Sequence, residues 1–463
     1  MVQTPTELLA HFIVEAHYSD IPDEALAYGR SSLLDASAVG IAGSASKGAK
    51  TLNSVLLPYS TTKGAQVIGT DMRLPAPFAA MANGNTIHAD DFDDTLAADP
   101  MAHGYHGSTH PTGPLLSTLL ALIDGKRTAG KDFLIAYHVG VEVMAKLNSA
   151  LGSRSFSAGF HPTALMSAFG SAALAARLKG LDLQMTKTAL GIAASHACGL
   201  RANFGSMMKP YHPGHGAMSG FLAVEMAMGG FTAADDAIGG DIGFLNAYGN
   251  SVDMGPLKAL GCPWAYLSPG MWIKPYPSGN LTHPGMSRID EFLEKNNALR
   301  TDVCELEIQT KQSIYDTLIH HHPKTGLQSK FSMEFCIVKI LIDGDLGLSD
   351  FSDEVVQRPD IQHMLGNTKY SAFPDAESKD LGYENYTTLI TFTLKDGRTF
   401  TERSDFGKGS AHDPFSYDET VEKAQRCSTF RCWPQEKFES LVEGWKQIDT
   451  ASDVNEITQN LFI

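Results

Sequence analysis

Residues 161–199 read HPTALMSAFGSAALAARLKGLDLQMTKTALGIAASHACG, and two helices are legible in them. The first runs from His161 to Gly180, is built of strong helix formers, and closes on a glycine suited to a left-handed cap. The second opens at Asp182, whose side chain can accept from the first free amides, and runs to Gly199. In both, Ala, Gly and Ser fall on several faces, so neither helix has the single apolar stripe of a surface element. Each must pack closely on all sides, as in a central bundle. GAMSGFLAVEMAMGG, from Gly216 to Gly230, repeats the pattern. The expected fold is mainly α.

Past residue 270 the period changes. VCELEIQT (Val303–Thr310) and TTLITFTL (Thr387–Leu394) alternate as half-buried strands do, and Asp396-Gly397 before RTFTERS marks a hairpin. Helical pieces, PGMSRIDEFLEKN and KFSMEFCIVKILIDG, lie between the strands. The chain therefore divides into a large all-helical domain, residues 1–270 plus 409–463, and a smaller α+β domain at 271–408 inserted before the C-terminal helices. A length of 463 residues with 43% apolar content is ample for two such cores.

The formal net charge of -16 argues against nucleic acid or an anionic membrane as partner. The six cysteines show no CxxC spacing and read as reduced thiols. The opening residues carry His11, Glu15 and Asp20 where a secretory signal needs an unbroken apolar run. No stretch reaches the roughly 18 apolar residues of a membrane span. The expectation is a soluble cytoplasmic protein, with a mitochondrial location also open.

Chemistry is densest from His88 to Gly113, HADDFDDTLAADPMAHGYHGSTHPTG, with five aspartates and four histidines. Such groups are costly to bury without partners, so they point to a site. Asp90, Asp91, Asp93 and Asp94 fit the DDxxD pattern that holds magnesium in helical diphosphate lyases. The second metal motif those enzymes need is absent from the sequence. Alternatively the aspartates cap a helix and face water, which suits Asp90 and Asp94. His103, His106 and His110 have a spacing that could hold zinc on a helix, but Gly104, Gly107, Pro111 and Gly113 would break one. A loop at His110-Pro111-Thr112-Gly113 is better suited to offering one imidazole and a backbone amide to a ligand. Neither metal pattern is favoured by the residues themselves.

Further cations stand beside turn residues. Lys209 lies next to His212 in NFGSMMKPYHPGHG, where Pro210 disfavours helix and predicts an irregular segment. Lys274 precedes a proline in WIKPYPSGNLTHPG. His161 begins a helix, and helix N-termini attract anions. The triplet His320 to His322 reads as a solvated loop. Together Lys209, Lys274 and His161 form the cationic half of a polycarboxylate site.

These segments, HADDFDDT, HPTG, FHPTA, GIAASHACGLRANFGSMMKPYHPGHGA, IKPYPSG, KFSMEF with ILIDG, and LKDGRTFTERSD, resemble in order the MmgE/PrpD family of 2-methylcitrate dehydratases, cis-aconitate decarboxylases and iminodisuccinate epimerases. The resemblance covers nearly the whole chain. It implies a homodimer, a helical domain built from both chain ends, an α+β lid domain, and a cofactor-free site between the domains. Carried over by motif, Asp91, Thr95, His110, His161, Lys209 and Lys274 would line that site, with His212 beside Lys209 and Gly279 five residues after Lys274.

Two positions depart from the decarboxylase pattern. Gly279 stands where decarboxylases have a histidine, and Phe335 where they have a tyrosine; neither transfers a proton. The longer segment LAADPMAHGYHGST brings His103 and His106 near the site, where one of them would substitute. The family's reactions share negative charge developing next to a carboxylate, which cations stabilise. Lys209 and Lys274 would clamp carboxylates, and His110 or His161 would act as general acid/base. Asp91 would orient one of them, and Thr95 would hydrogen-bond substrate. The expected activity is a lyase on a small di- or tricarboxylate, most concretely dehydration of 2-methylcitrate. Decarboxylation of a cis-aconitate-type substrate, epimerisation of a dicarboxylate, and a silent carboxylate-binding homologue are the alternatives.

Overall fold

A computed structural model describes residues 3–96, 108–249, 252–374 and 386–463. The fold is mainly helical, with a smaller sheet-bearing part, and the chain forms two compact units. One comprises Met1–Ala202, Met207–Ile273 and Ser416–Ile463; the other comprises Lys274–Phe415 with Asn203–Ser206. No helix among the described residues is long and apolar enough to cross a membrane.

The first unit is built around the small-residue helices. The helix Pro162–Lys179 starts from His161 and ends on Gly180 in the left-handed region (φ 66°, ψ 42°). Every residue from Pro162 to Ala176 is buried, as the scattering of Ala, Gly and Ser demands. The next helix, Leu183–His196, is capped by Asp182, whose carboxylate accepts from the Met185 amide at 2.8 Å.

The third helix differs from its expected start. It spans Met208–Met228, so Lys209 and Pro210 lie in its first turn rather than in an irregular segment. Proline is compatible with that position because first-turn amides have no partner within the helix. Pro213 lies farther in and is tolerated as well. The extra turns bring Gly214 against the helix Ala76–Ile87. A Cβ at Gly214 would stand 2.3 Å from the Met81 carbonyl oxygen, and one at Gly84 would stand 2.7 Å from the Gly214 Cα. This glycine-to-glycine approach sets the C-terminal end of one helix, at His88, beside the first turn of the other, at Lys209.

The second unit contains a four-stranded sheet in the order Thr368–Ala372, Val303–Thr310, Thr388–Leu394, Thr399–Ser404. The last three strands are antiparallel, as the alternation and the Asp396-Gly397 turn predict; Gly397 has φ 87°. The parallel first strand was not expected. Its sequence, TKYSA, is short and partly buried along its length, so it lacks a clean alternation. Ile308 pairs with Ile390 and Leu306 with Phe392, and these side chains share a core with the helix Met333–Asp343.

Gly214→Ala tests the close approach. A methyl group at that point meets backbone that cannot move aside, so urea denaturation should show a loss of about 1–3 kcal/mol. An unchanged midpoint would refute the contact.

Candidate active site

The helix Ala76–Ile87 ends at His88, and the chain then turns back on itself. Asp91 takes a left-handed conformation (φ 53°), which aspartate tolerates better than most residues, and its amide bonds to the His88 carbonyl at 3.2 Å. The turn sends its carboxylates in separate directions. Asp91 accepts from the Lys209 ammonium at 2.8 Å. Asp93 accepts from His88 Nδ1 at 2.8 and 2.9 Å. Asp94 faces Thr112, which donates to it through both its amide (3.3 Å) and its hydroxyl (2.5 Å).

The bonds fix the tautomers. Because His88 Nδ1 donates to Asp93, its Nε2 is the acceptor for a second Lys209 N–H, at 2.9 Å. His110 Nδ1 donates to the Asp94 carbonyl at 2.9 Å, so its basic nitrogen is Nε2, which lies 4.0 Å from Asp91. The ring of His110 is 4.7 Å from that of His88 and 6.5 Å from that of His161. His161 and His212 face each other through Nδ1 atoms 3.0 Å apart, so one donates and the other accepts. Asp91, His88, His110, His161, Lys209 and His212 are all buried.

Burial governs the titration of this cluster. It holds His161 well below its ordinary range, and the charge of Lys209 and the neighbouring imidazoles adds to the effect. His212 is lowered to about 4, first by desolvation and then by His88, Lys209 and His215. His88 is lowered too, although Asp93 opposes the shift. These shifts favour the neutral rings of His88, His161 and His212 beside the Lys209 ammonium.

His88, Asp91, Asp93 and His110 could each offer one ligand atom to a metal ion, as could His88, His110 and His161. In the first set, however, the Lys209 ammonium already bonds both Asp91 and His88 Nε2, so it occupies the place of a cation. The divergence of the three carboxylates likewise differs from a DDxxD magnesium site. Asp94, for which a water-facing helix cap was the alternative reading, is buried. Its carboxyl is pushed up to about 7, chiefly by desolvation, with Asp35 and Asp93 adding to the shift. From Asp94 a buried chain of hydroxyls runs through Thr112 to Tyr137 and on to Tyr266, each of the last two steps 2.5 Å.

The structure thus brings together Asp91, His110, His161, Lys209 and His212. The HPTG segment is not a free loop, because Thr112 begins the helix Thr112–Ile123 and His110 stands just before it. Thr95 is buried nearby in sequence, its hydroxyl donating to the Thr109 carbonyl at 3.1 Å, in a short strand paired with Met271–Trp272. Lys274 and Gly279 belong to the second unit. There the Gly279 amide donates to the Lys330 carbonyl at 2.9 Å, and an added Cβ would find only ordinary contacts of 3.5 to 3.6 Å. Phe335 is fully buried, in the core of that unit. His103 and His106 lie outside the described residues. Sequence reasoning assigned no role to His88 and considered Asp93 only within the DDxxD pattern; the signal for their pairing was the spacing of a histidine five residues before an aspartate in HADDFDDT.

Two family models match the chain. Residues 7–256 match the MmgE/PrpD N-terminal domain and residues 276–447 the MmgE/PrpD C-terminal domain. The chain belongs to the MmgE/PrpD family. It is similar to cis-aconitate decarboxylase of Homo sapiens, with 27% identity over 99% of this chain and 94% of the relative. The mouse protein of the same name is also 27% identical, over 100% of this chain and 94% of its own length. Cis-aconitate decarboxylase of Aspergillus terreus is 25% identical over 86% and 84%. Within its family the chain is an enzyme of the lyase class.

Asp94 offers a check on the buried network. Its folded-state carboxyl, raised to about 7, retains a proton that the unfolded chain loses near pH ~4. Its contribution to stability is therefore full below the unfolded value and is lost as pH rises through the folded one. Asp94→Asn removes this titration. Thermal melts should show the melting temperature of the variant, relative to the parent, climbing between about pH 5 and about pH 8; a difference independent of pH would contradict a protonated Asp94.

Proposed function

We propose that the chain is a lyase acting on a small di- or tricarboxylate, with its chemistry at the Lys209–Asp91–His110–His161 cluster. The observation that supports this reading is the buried Lys209 ammonium, bonded to Asp91 and His88 beside His161 and His212, whose pKa values are lowered. Lys209 donates to Asp91 and His88, and its positive charge would draw a substrate carboxylate to the cluster. His110, with Nδ1 committed to a main-chain carbonyl, would exchange a proton through Nε2. His161 and His212 share one proton between facing nitrogens, and would supply the second acid/base group.

Two bond-breaking steps suit this set. In decarboxylation, the pair from the breaking C–CO₂ bond stays on the substrate, spreads onto a neighbouring carboxylate and is quenched by an imidazolium proton. In dehydration, a neutral imidazole removes a proton next to a carboxylate and a hydroxyl leaves with a proton from the second acid. Either way the charge develops beside a carboxylate held by Lys209. The named relatives favour decarboxylation of a cis-aconitate-type substrate. Gly279 and Phe335, which carry no transferable proton where the decarboxylase pattern has histidine and tyrosine, favour dehydration of an alkylcitrate as the second reading. The reading involves no metal or organic cofactor, since Lys209 supplies the positive charge.

Incubating the protein with cis-aconitate and with 2-methylcitrate, while following CO₂ and alkene absorbance, decides between them; no turnover of either would sink both. Lys209→Ala should lower kcat/KM by about 10²–10³ and destabilise the fold by roughly 3–5 kcal/mol, because Asp91 is left as an uncompensated buried charge. Binding should also take up protons. A polyanion offsets the Lys209 charge that helps depress His161 and His212, so their pKa values rise on binding. Calorimetric titration at about pH 6 in buffers of differing ionisation heat should register net uptake; release would contradict the neutral-imidazole arrangement.

A further inference from the structure

The turn that carries Asp91 and Asp93 is held from the other end of the chain. Lys423, on the helix Tyr417–Arg431, lies 2.6 Å from Asp35 and donates to the main-chain carbonyl of Phe92 at 2.7 Å. Its ammonium also stands 3.9 Å from the centre of the Phe92 ring. Lys423 is 4% exposed and Asp35 1%. Phe92 sits between the aspartate that meets Lys209 and the one that meets His88. Its carbonyl belongs to the peptide leading into Asp93, directly after the left-handed Asp91.

A buried ion pair is a poor device for stability, because apolar residues of similar volume serve as well or better. What apolar residues cannot do is donate a hydrogen bond in a fixed direction. The Lys423–Phe92 bond is of that kind, and it fixes the rotation of a peptide on which the aim of both carboxylates depends. Asp35 pairs with the ammonium at that spot.

We infer that Lys423 is a positioning residue of the reaction centre: by holding the Phe92 carbonyl it keeps Asp91 aimed at Lys209 and Asp93 aimed at His88. Its catalytic meaning rests on the function proposed above. It acts through the two aspartates, and misplacing catalytic groups by about an ångström can cost on the order of 100-fold in rate. The sequence carries no sign of it, since Lys423 and Phe92 are 331 residues apart and the lysine sits in a polar helix.

Removing the pair and breaking only its charge balance should have opposite consequences. Lys423→Met combined with Asp35→Leu leaves no unpaired charge, so the melting temperature should stay near that of the parent while kcat falls at least ~10-fold with little change in KM. Full kcat in that variant would overturn the proposal. Asp35→Asn leaves the Phe92 bond in place, so it should melt lower yet retain kcat within about threefold. A kcat loss matching that of Lys423→Met would likewise overturn it, and this comparison stands if the double variant does not fold. Hydrogen exchange of the peptide spanning residues 88–96 needs no substrate. It should quicken in the double variant and stay at the parent rate in Asp35→Asn; equal exchange in all three proteins rejects the placement. If the parent turns over none of the carboxylates, the proposed function fails while the exchange result still decides what Lys423 holds.

Discussion

A buried ammonium needs acceptors on more than one side, and the arrangement around Lys209 follows from that need. One acceptor is Asp91, which reaches it by adopting a left-handed backbone. Another is His88 Nε2, which accepts because Nδ1 carries the proton and donates it to Asp93 in a hydrogen bond. Both carboxylates come from one short turn, and that turn meets Lys209 because Gly84 and Gly214 let two helices approach more closely than any side chain would permit. Leaving a cation unpaired in such surroundings would cost several kcal/mol, so the contacts around it depend on one another.

The same cation shapes the histidines. His161 and His212 are desolvated and lie near a positive charge, and both effects favour the neutral ring. The result is a cluster with acceptor nitrogens and the Lys209 cation paired with Asp91, in a protein whose net charge is strongly negative. An anionic ligand would complete its electrostatics and restore imidazole basicity. This is the physical basis for the carboxylate reading, and it holds for loss of CO₂ and loss of water alike.

Much of this was legible in the chain. Asp182 as a cap, Gly180 as a helix end and Asp396-Gly397 as a turn are local choices, each made within a few residues by backbone sterics and free amides. His110, His161, Lys209 and Asp91 were legible through motif resemblance, because their short segments keep their order along the chain. The start of the Lys209 helix was not legible. Pro210 forbids helix in general but not in a first turn, and only packing tells which turn is first. The burial of Asp94 was not legible for a related reason: its partner Thr112, and Tyr137 and Tyr266 beyond it, lie on three later segments.

By itself the sequence determined the helical class, the change to strands past residue 270 and the family, since these rest on periodicity, caps and ordered motifs. The tertiary structure decided which of the five aspartates between His88 and Gly113 face which cation, which nitrogen of His88 and His110 is basic, and that Lys423 holds the turn. Direction and tautomer are set by partners distant in sequence. A hydrogen bond selects among rotamers and protonation states only when both ends are in place, and folding alone brings Asp91 to Lys209 or Phe92 to Lys423.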